Sequence, residues 1–99
     1  MLLGRELSGA EALEWGLIHT AVERAEVADR VDQLAATLAA GPTVALGLTR
    51  WLVHTGGGLD LERHLANEAF ALELASRTAD FREGLAALRE RRPPDFGGR

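Results

Sequence analysis

The stretch PTVALGLTRWLVH, residues 42–54, restricts the fold more than any other. Val44, Leu48 and Trp51 fall along one face of a helix, while Leu46, Leu52 and Val53 fall on other faces. Its polar side chains are Thr43, Thr49, Arg50 and His54. A helix that is apolar on most sides is buried on most sides. A chain of 99 residues offers few elements to cover it. A chain this short buries a modest share of its unfolded surface. Part of the cover for this helix is therefore expected to come from elsewhere.

The remaining residues also read as helices. Ala and Leu occur 17 times each, and aromatic residues make up only 5%. That composition favours helix. Ser8-Gly9-Ala10-Glu11 has the form of a reciprocal cap, in which the Ser hydroxyl and the Glu carboxylate each accept the other's backbone N–H. Gly16 is placed to end that short helix in a left-handed turn. LIHTAV, residues 17–22, reads as extended. Val27, Val31, Leu34 and Leu38 recur at helical spacing and predict a helix over about 25–40. Gly41-Pro42 stops it and starts the next. The run Gly56–Gly58 predicts a flexible hinge. Asp60 is a good cap for a helix to Arg77 with a stripe of Leu61, Leu65, Ala69 and Leu72. A last helix starts near Thr78 or Asp80, carries Phe81, Leu85 and Leu88 on one face, and ends at Pro93-Pro94, with DFGGR trailing out. Gly84 within it is either a tolerated defect or the mark of a close backbone contact. Met1–Leu3 can only be the end of a strand or a frayed terminus, because a strand needs a partner.

Composition excludes several chemistries. The net charge is −4, which gives the chain as a whole no attraction to nucleic acid. All 11 basic residues are Arg, so no lysine base or Schiff base is possible. With no Cys there is no disulfide, thiolate nucleophile or Cys-based metal site, which fits a reducing, cytoplasmic setting. No apolar run approaches the roughly 20 residues of a membrane span, and no signal-peptide pattern is visible. His19, His54 and His64 lack metal-ligand spacing. The Glu residues fall on predicted helix surfaces, where solvated ion pairs are the ordinary outcome. No complete catalytic constellation is present. Between Arg82 and Arg99 five Arg face only Glu83, Glu90 and Asp95. The cluster Arg89, Arg91 and Arg92 either complements the helix dipole or contacts an anionic ligand.

Three segments in register, LLGRELSGAEALEWGLIHTAVE, AAGPTVALGLTRWLV and TADFREGLAALRERRPPDFGGR, resemble the C-terminal portion of the enoyl-CoA hydratase/isomerase (crotonase) superfamily. The family writes a strand ending in T-G, then S-A-x-E-A, G-L-V, A-x-x-P-x-x-A and a closing E-G-x-x-A-F-x-E-K-R-x-P-x-F. The resemblance covers nearly the whole chain. It implies a mainly α, C-terminal helical module, for oligomerisation and as a lid, on a ββα-spiral fold. Residues 1–24 would be the end of the core region, with a short strand stub, and 25–99 the helical module. It further implies an enzyme acting on an acyl-CoA thioester through an oxyanion-stabilised enolate. No cofactor is expected beyond coenzyme A as part of the substrate, and no metal. The expected partners are acyl-CoA and further copies of the chain, as a trimer or dimer of trimers, with no nucleic acid and no membrane. The family's oxyanion hole and catalytic carboxylates have no counterpart in these residues, so no catalytic residue is assigned and the chain alone is expected to be inactive. By the same resemblance Leu72, Leu88 and Arg91 are coenzyme A contacts. Leu88 stands in place of an aromatic and cannot stack on adenine. Arg91 replaces a Lys and keeps its charge. Trp15 replaces a usually small residue and serves the acyl pocket or an interface. The alternative is a stand-alone helical module for self-association or partner binding, without catalysis.

Overall fold

Three helices of this chain begin where a side-chain oxygen meets an orphan N–H. The computed structural model describes residues 4–99, so the expected strand end at residues 1–3 lies outside the described part. Helix α1 spans Gly9–Glu14. The Ser8 hydroxyl accepts from the Glu11 N–H at 3.2 Å, and the Glu11 carboxylate accepts from the Ser8 N–H at 2.9 Å. Gly16, at φ +68°, closes the other end, with its own N–H on Leu13 O and the Leu17 N–H on Ala12 O. Only a residue without a Cβ adopts that conformation without crowding. Both ends of the helix match expectation.

After an irregular stretch and a 3₁₀ turn at Arg24–Glu26 come α2 (Val27–Ala39), α3 (Thr43–Gly56), α4 (Leu61–Ser76) and α5 (Ala79–Glu90). No strand occurs among the described residues. The chain divides into two compact units, Met1–Leu34 and Ala35–Arg99. In the second unit α4 packs against both α3 and α5. Asp60 caps α4 by accepting the Arg63 N–H at 2.9 Å, as expected. Of the two candidates for α5, Thr78 is the cap, with the Phe81 N–H at 3.0 Å from its hydroxyl. Asp80 is left free for another task.

Three features differ from the sequence reading. The glycine run is no free hinge: α3 continues through Gly56, and the His64 ring fills the space beside it, 2.6 Å from where a Cβ would stand. Close approach, not positive φ, explains that glycine. Helix α5 ends before the prolines, at Glu90, because Arg91 turns left-handed (φ 54°). The tail folds back along α5, with the Phe96 ring over Gly84.

Burial is sparse. Among the described residues only Ala71, Ala87 and Asp80 are buried. Val27, Val31, Leu34 and Leu38, the expected core stripe of α2, are all exposed, and so are Val44, Trp51 and Val53 on α3. The prediction that α3 needs cover from elsewhere agrees with this. No single helix among the described residues is long and apolar enough to cross a membrane.

Gly84 offers a direct test. A Cβ there would meet Phe96 at 3.7 Å, an ordinary van der Waals distance, while the helix interior favours Ala over Gly by about 1 kcal/mol. Gly84→Ala is expected to raise the thermal unfolding midpoint followed by circular dichroism. A lowered midpoint would mean that the backbone at residue 84 is needed bare.

Candidate functional site

The end of α5 and the tail beyond it carry the densest polar geometry in the molecule. Asp80, in the first turn of α5, is 4% exposed, and its carboxylate oxygens accept the Gly97 N–H at 2.7 Å and the Gly98 N–H at 2.9 Å. Its own N–H donates to Arg99 O at 3.1 Å. One turn further on, the Glu83 carboxylate accepts two bonds from the Arg92 guanidinium, at 2.5 and 2.9 Å, and the Asp95 N–H at 2.8 Å. Arg92 also donates to Glu90 at 2.7 Å. Two carboxylates on α5 thus clamp the returning tail at five points. Planar guanidinium and planar carboxylate match in this paired geometry, which adds direction to the charge attraction.

These bonds favour the ionised form of Glu83. Arg92 and then the Asp95 amide hold its carboxyl down to about 2, from the usual 4.5. Glu83 in turn raises the guanidinium of Arg92. At the far end of the chain Glu11 is lowered in the same sense, by the Ser8 backbone N–H first and then by the Ser8 hydroxyl.

The tail borders an open apolar pocket of about 230 Å³ lined in part by Pro42, Ala45, Ala75, Phe81, Leu85 and Phe96. Phe96 is the tail's contribution. Gly98 lies against α3, where a Cβ would stand 3.0 Å from the Thr43 hydroxyl. A second groove, of about 340 Å³, runs between α3 and α4 and includes Leu48, Leu52, Glu68, Leu72 and Phe81.

The four residues singled out by resemblance are distributed as follows. Leu72 is exposed and lines the groove between α3 and α4. Leu88 lies in the last turn of α5, 77% exposed, and Arg91 follows one residue past the helix. Neither belongs to the lining that holds Leu72. Trp15 belongs to the first unit and is exposed, with the Arg5 guanidinium 5.4 Å from its ring centroid and Arg5 also bonded to Glu11 at 2.6 Å. An apolar groove of about 330 Å³ in that unit is lined by Ile18, Val22, Val27, Val31 and Leu34, with His19 and Arg30 beside them. No group of three His, Asp or Glu side chains able to hold a metal ion occurs among the described residues.

Of the basic cluster, Arg92 is committed to Glu83 and Glu90, whereas Arg89 and Arg91 have no ion pair among the described residues. The roles of Asp80 and Glu83 were missed in the sequence. Their signal was present: acidic residues one helical turn apart, a proline pair that returns the chain, and Gly97-Gly98, which can present two N–H groups to one carboxylate.

Comparison with known proteins agrees with these features. The enoyl-CoA hydratase/isomerase family matches residues 1–99, and the chain belongs to it. The 1,2-epoxyphenylacetyl-CoA isomerase of Escherichia coli K12 is 40% identical over 98 residues, covering 99% of this chain and 37% of its own length. The (E)-benzylidenesuccinyl-CoA hydratase of Thauera aromatica is 30% identical over 98 residues, 99% of this chain and 38% of its own. The crystal structure of an enoyl-CoA hydratase from Geobacillus kaustophilus HTA426 superposes with a TM-score of 0.86 at 30% identity, covering 99% of this chain and 37% of that one. The chain therefore corresponds to little more than a third of the length of these relatives, and it shares their fold over that part. This matches the C-terminal resemblance. An isomerase and a hydratase both share this part, so it does not separate their reactions.

Acid should release the clamp. A carboxyl held below its unfolded value binds its proton less readily in the folded state, so its stabilisation is complete above pH 4.5 and is lost as pH falls from there through about 2. The Asp95 amide resonance is expected to move over that range, and Glu83→Gln should abolish the movement. An amide that titrates unchanged in the variant would assign the effect to another group.

Proposed function

We propose that this chain forms the helical oligomerisation module and the rim of the coenzyme A site in an enzyme that transforms an acyl-CoA thioester through an oxyanion-stabilised enolate. The observation that carries this reading is the exposure of apolar side chains over α3, α4 and α5. Val53, Leu61, Leu72 and Leu88 are each more than 60% exposed. Large exposed apolar areas are uncommon on free monomers and mark contact surfaces. Residues 1–24 then belong with the catalytic core, and 25–99 pack on that core and on neighbouring copies. The absence of Cys agrees with a cytoplasmic setting.

On this reading Leu72 and Leu88 present apolar surface to the ligand, and Arg91 meets a coenzyme A phosphate. Arg91 has no ion pair among the described residues, which supports the assignment, because a guanidinium with no internal carboxylate is available to an anion. Trp15, with one face against Arg5, lends its ring to the acyl pocket or to a subunit contact. Such chemistry needs N–H donors at the thioester oxygen and a carboxylate at the acyl carbons. No residue of this chain is assigned to either task, so the 99 residues alone should not turn over crotonyl-CoA.

Sedimentation equilibrium with and without coenzyme A tests the proposal. A defined oligomer strengthened by the ligand is expected, with Arg91→Gln lowering affinity about tenfold, the size of one charge-assisted bond. A defined oligomer indifferent to coenzyme A would favour a self-association module instead. Turnover by the isolated chain would overturn the division of labour.

A further inference from the structure

Arg91 is the one non-glycine residue at positive φ among the described residues, at φ 54° and ψ 40°. There Cβ crowds the following carbonyl oxygen, so an L-residue stays only where its surroundings over-determine it. Two backbone bonds close the turn: the Arg91 N–H to Leu88 O at 3.3 Å and the Arg92 N–H to Ala87 O at 3.0 Å. Glycine would close it with less strain, so these bonds do not explain an arginine at this position.

The surroundings of the next residue explain the left-handed backbone. Arg92 is tied through its guanidinium to Glu83 twice, to Glu90 once and to Pro93 O at 3.1 Å. Pro93 confines the Arg92 backbone to extended conformations. Glu83 also holds the Asp95 N–H. The chain on the far side of Arg91 is therefore pinned to a point two helical turns back. If Arg91 were helical, Arg92 and Pro93 would continue along the axis and leave Glu83 behind. The reversal has to occur at residue 91.

We infer that Glu83 is a positioning residue: by pinning Arg92 and the Asp95 amide it locks Arg91 in the left-handed conformation and leaves its guanidinium unpaired for an anionic ligand. The ligand half of this inference rests on the coenzyme A reading of Arg91 given above. The conformational half does not.

The test uses the isotope-labelled 99-residue chain, unsubstituted and as Glu83→Gln, Arg92→Gln and Glu83→Gln/Arg91→Gly. In both single variants the Arg91 Cα and Cβ shifts should leave left-handed values, and the Arg92 amide should lose its hydrogen-exchange protection. Glycine takes positive φ freely, so Arg91→Gly should restore that protection in the Glu83→Gln background. Titration with coenzyme A should show Glu83→Gln weakening binding about as much as Arg91→Gln, roughly tenfold, with no further loss when the two are combined. Unchanged Arg91 shifts in both single variants would overturn the inference. So would coenzyme A binding that falls with Arg91→Gln but not with Glu83→Gln. Absence of coenzyme A binding by the unsubstituted chain would remove the ligand reading, and the Arg91 shifts would then decide the conformational claim alone.

Discussion

Cover for apolar surface is the constraint on which the rest depends. Helices α3, α4 and α5 carry more Leu, Val and Phe than they hide from one another. Within Ala35–Arg99 the buried residues are two alanines and one aspartate. Two alanines contribute little transfer free energy, since burial scales with apolar area at about 25 cal/mol per Å². Most of the apolar surface carried by these helices is left exposed within the chain. The relatives it matches are well over twice as long, and the chain corresponds to little more than a third of them.

With so little apolar burial, local polar devices define several of the helix starts. Ser8 with Glu11, Asp60 and Thr78 each satisfy an N–H that the helix cannot. Most net worths of this kind are near 1 kcal/mol. The tail is held in the same currency but over a longer reach. Asp80 and Glu83 gather donors from residues 92–98, and the carboxylates do for the tail what a strand partner would do in a β-protein.

Much of this was readable from residue order. Caps and left-handed glycines depend on neighbours within a few positions, so Ser8–Glu11, Gly16 and Asp60 were identified correctly from the sequence. The stripe of α2 and the all-round apolarity of α3 were also visible, but periodicity reports which side wants burial, not what buries it. Contacts between distant residues were hidden. The distance from Asp80 to Gly98 along the chain is large compared with any helical repeat, so a tail read as trailing proved to be clamped. The end of α5 was placed at the prolines because Pro93 breaks helices. The actual break comes earlier, at an arginine, because Glu83 fixes Arg92. The candidate ligand residues Leu72, Leu88, Arg91 and Trp15 came from resemblance, since no local pattern marks an exposed Leu as a contact.

The clamp draws mainly on main-chain donors, and this shapes what mutation can change. Asp95, Gly97 and Gly98 contribute their amides, which every residue except proline possesses. Drift at position 97 should pass almost unnoticed, since a Cβ there meets only the Arg99 side chain and an Asp80 oxygen at 3.9–4.0 Å. Position 98 has no such latitude, with φ at +75° and the Thr43 hydroxyl 3.0 Å from a Cβ. Two adjacent glycines with the same hydrogen-bond partner thus differ in what they tolerate, one having room for a side chain and the other not.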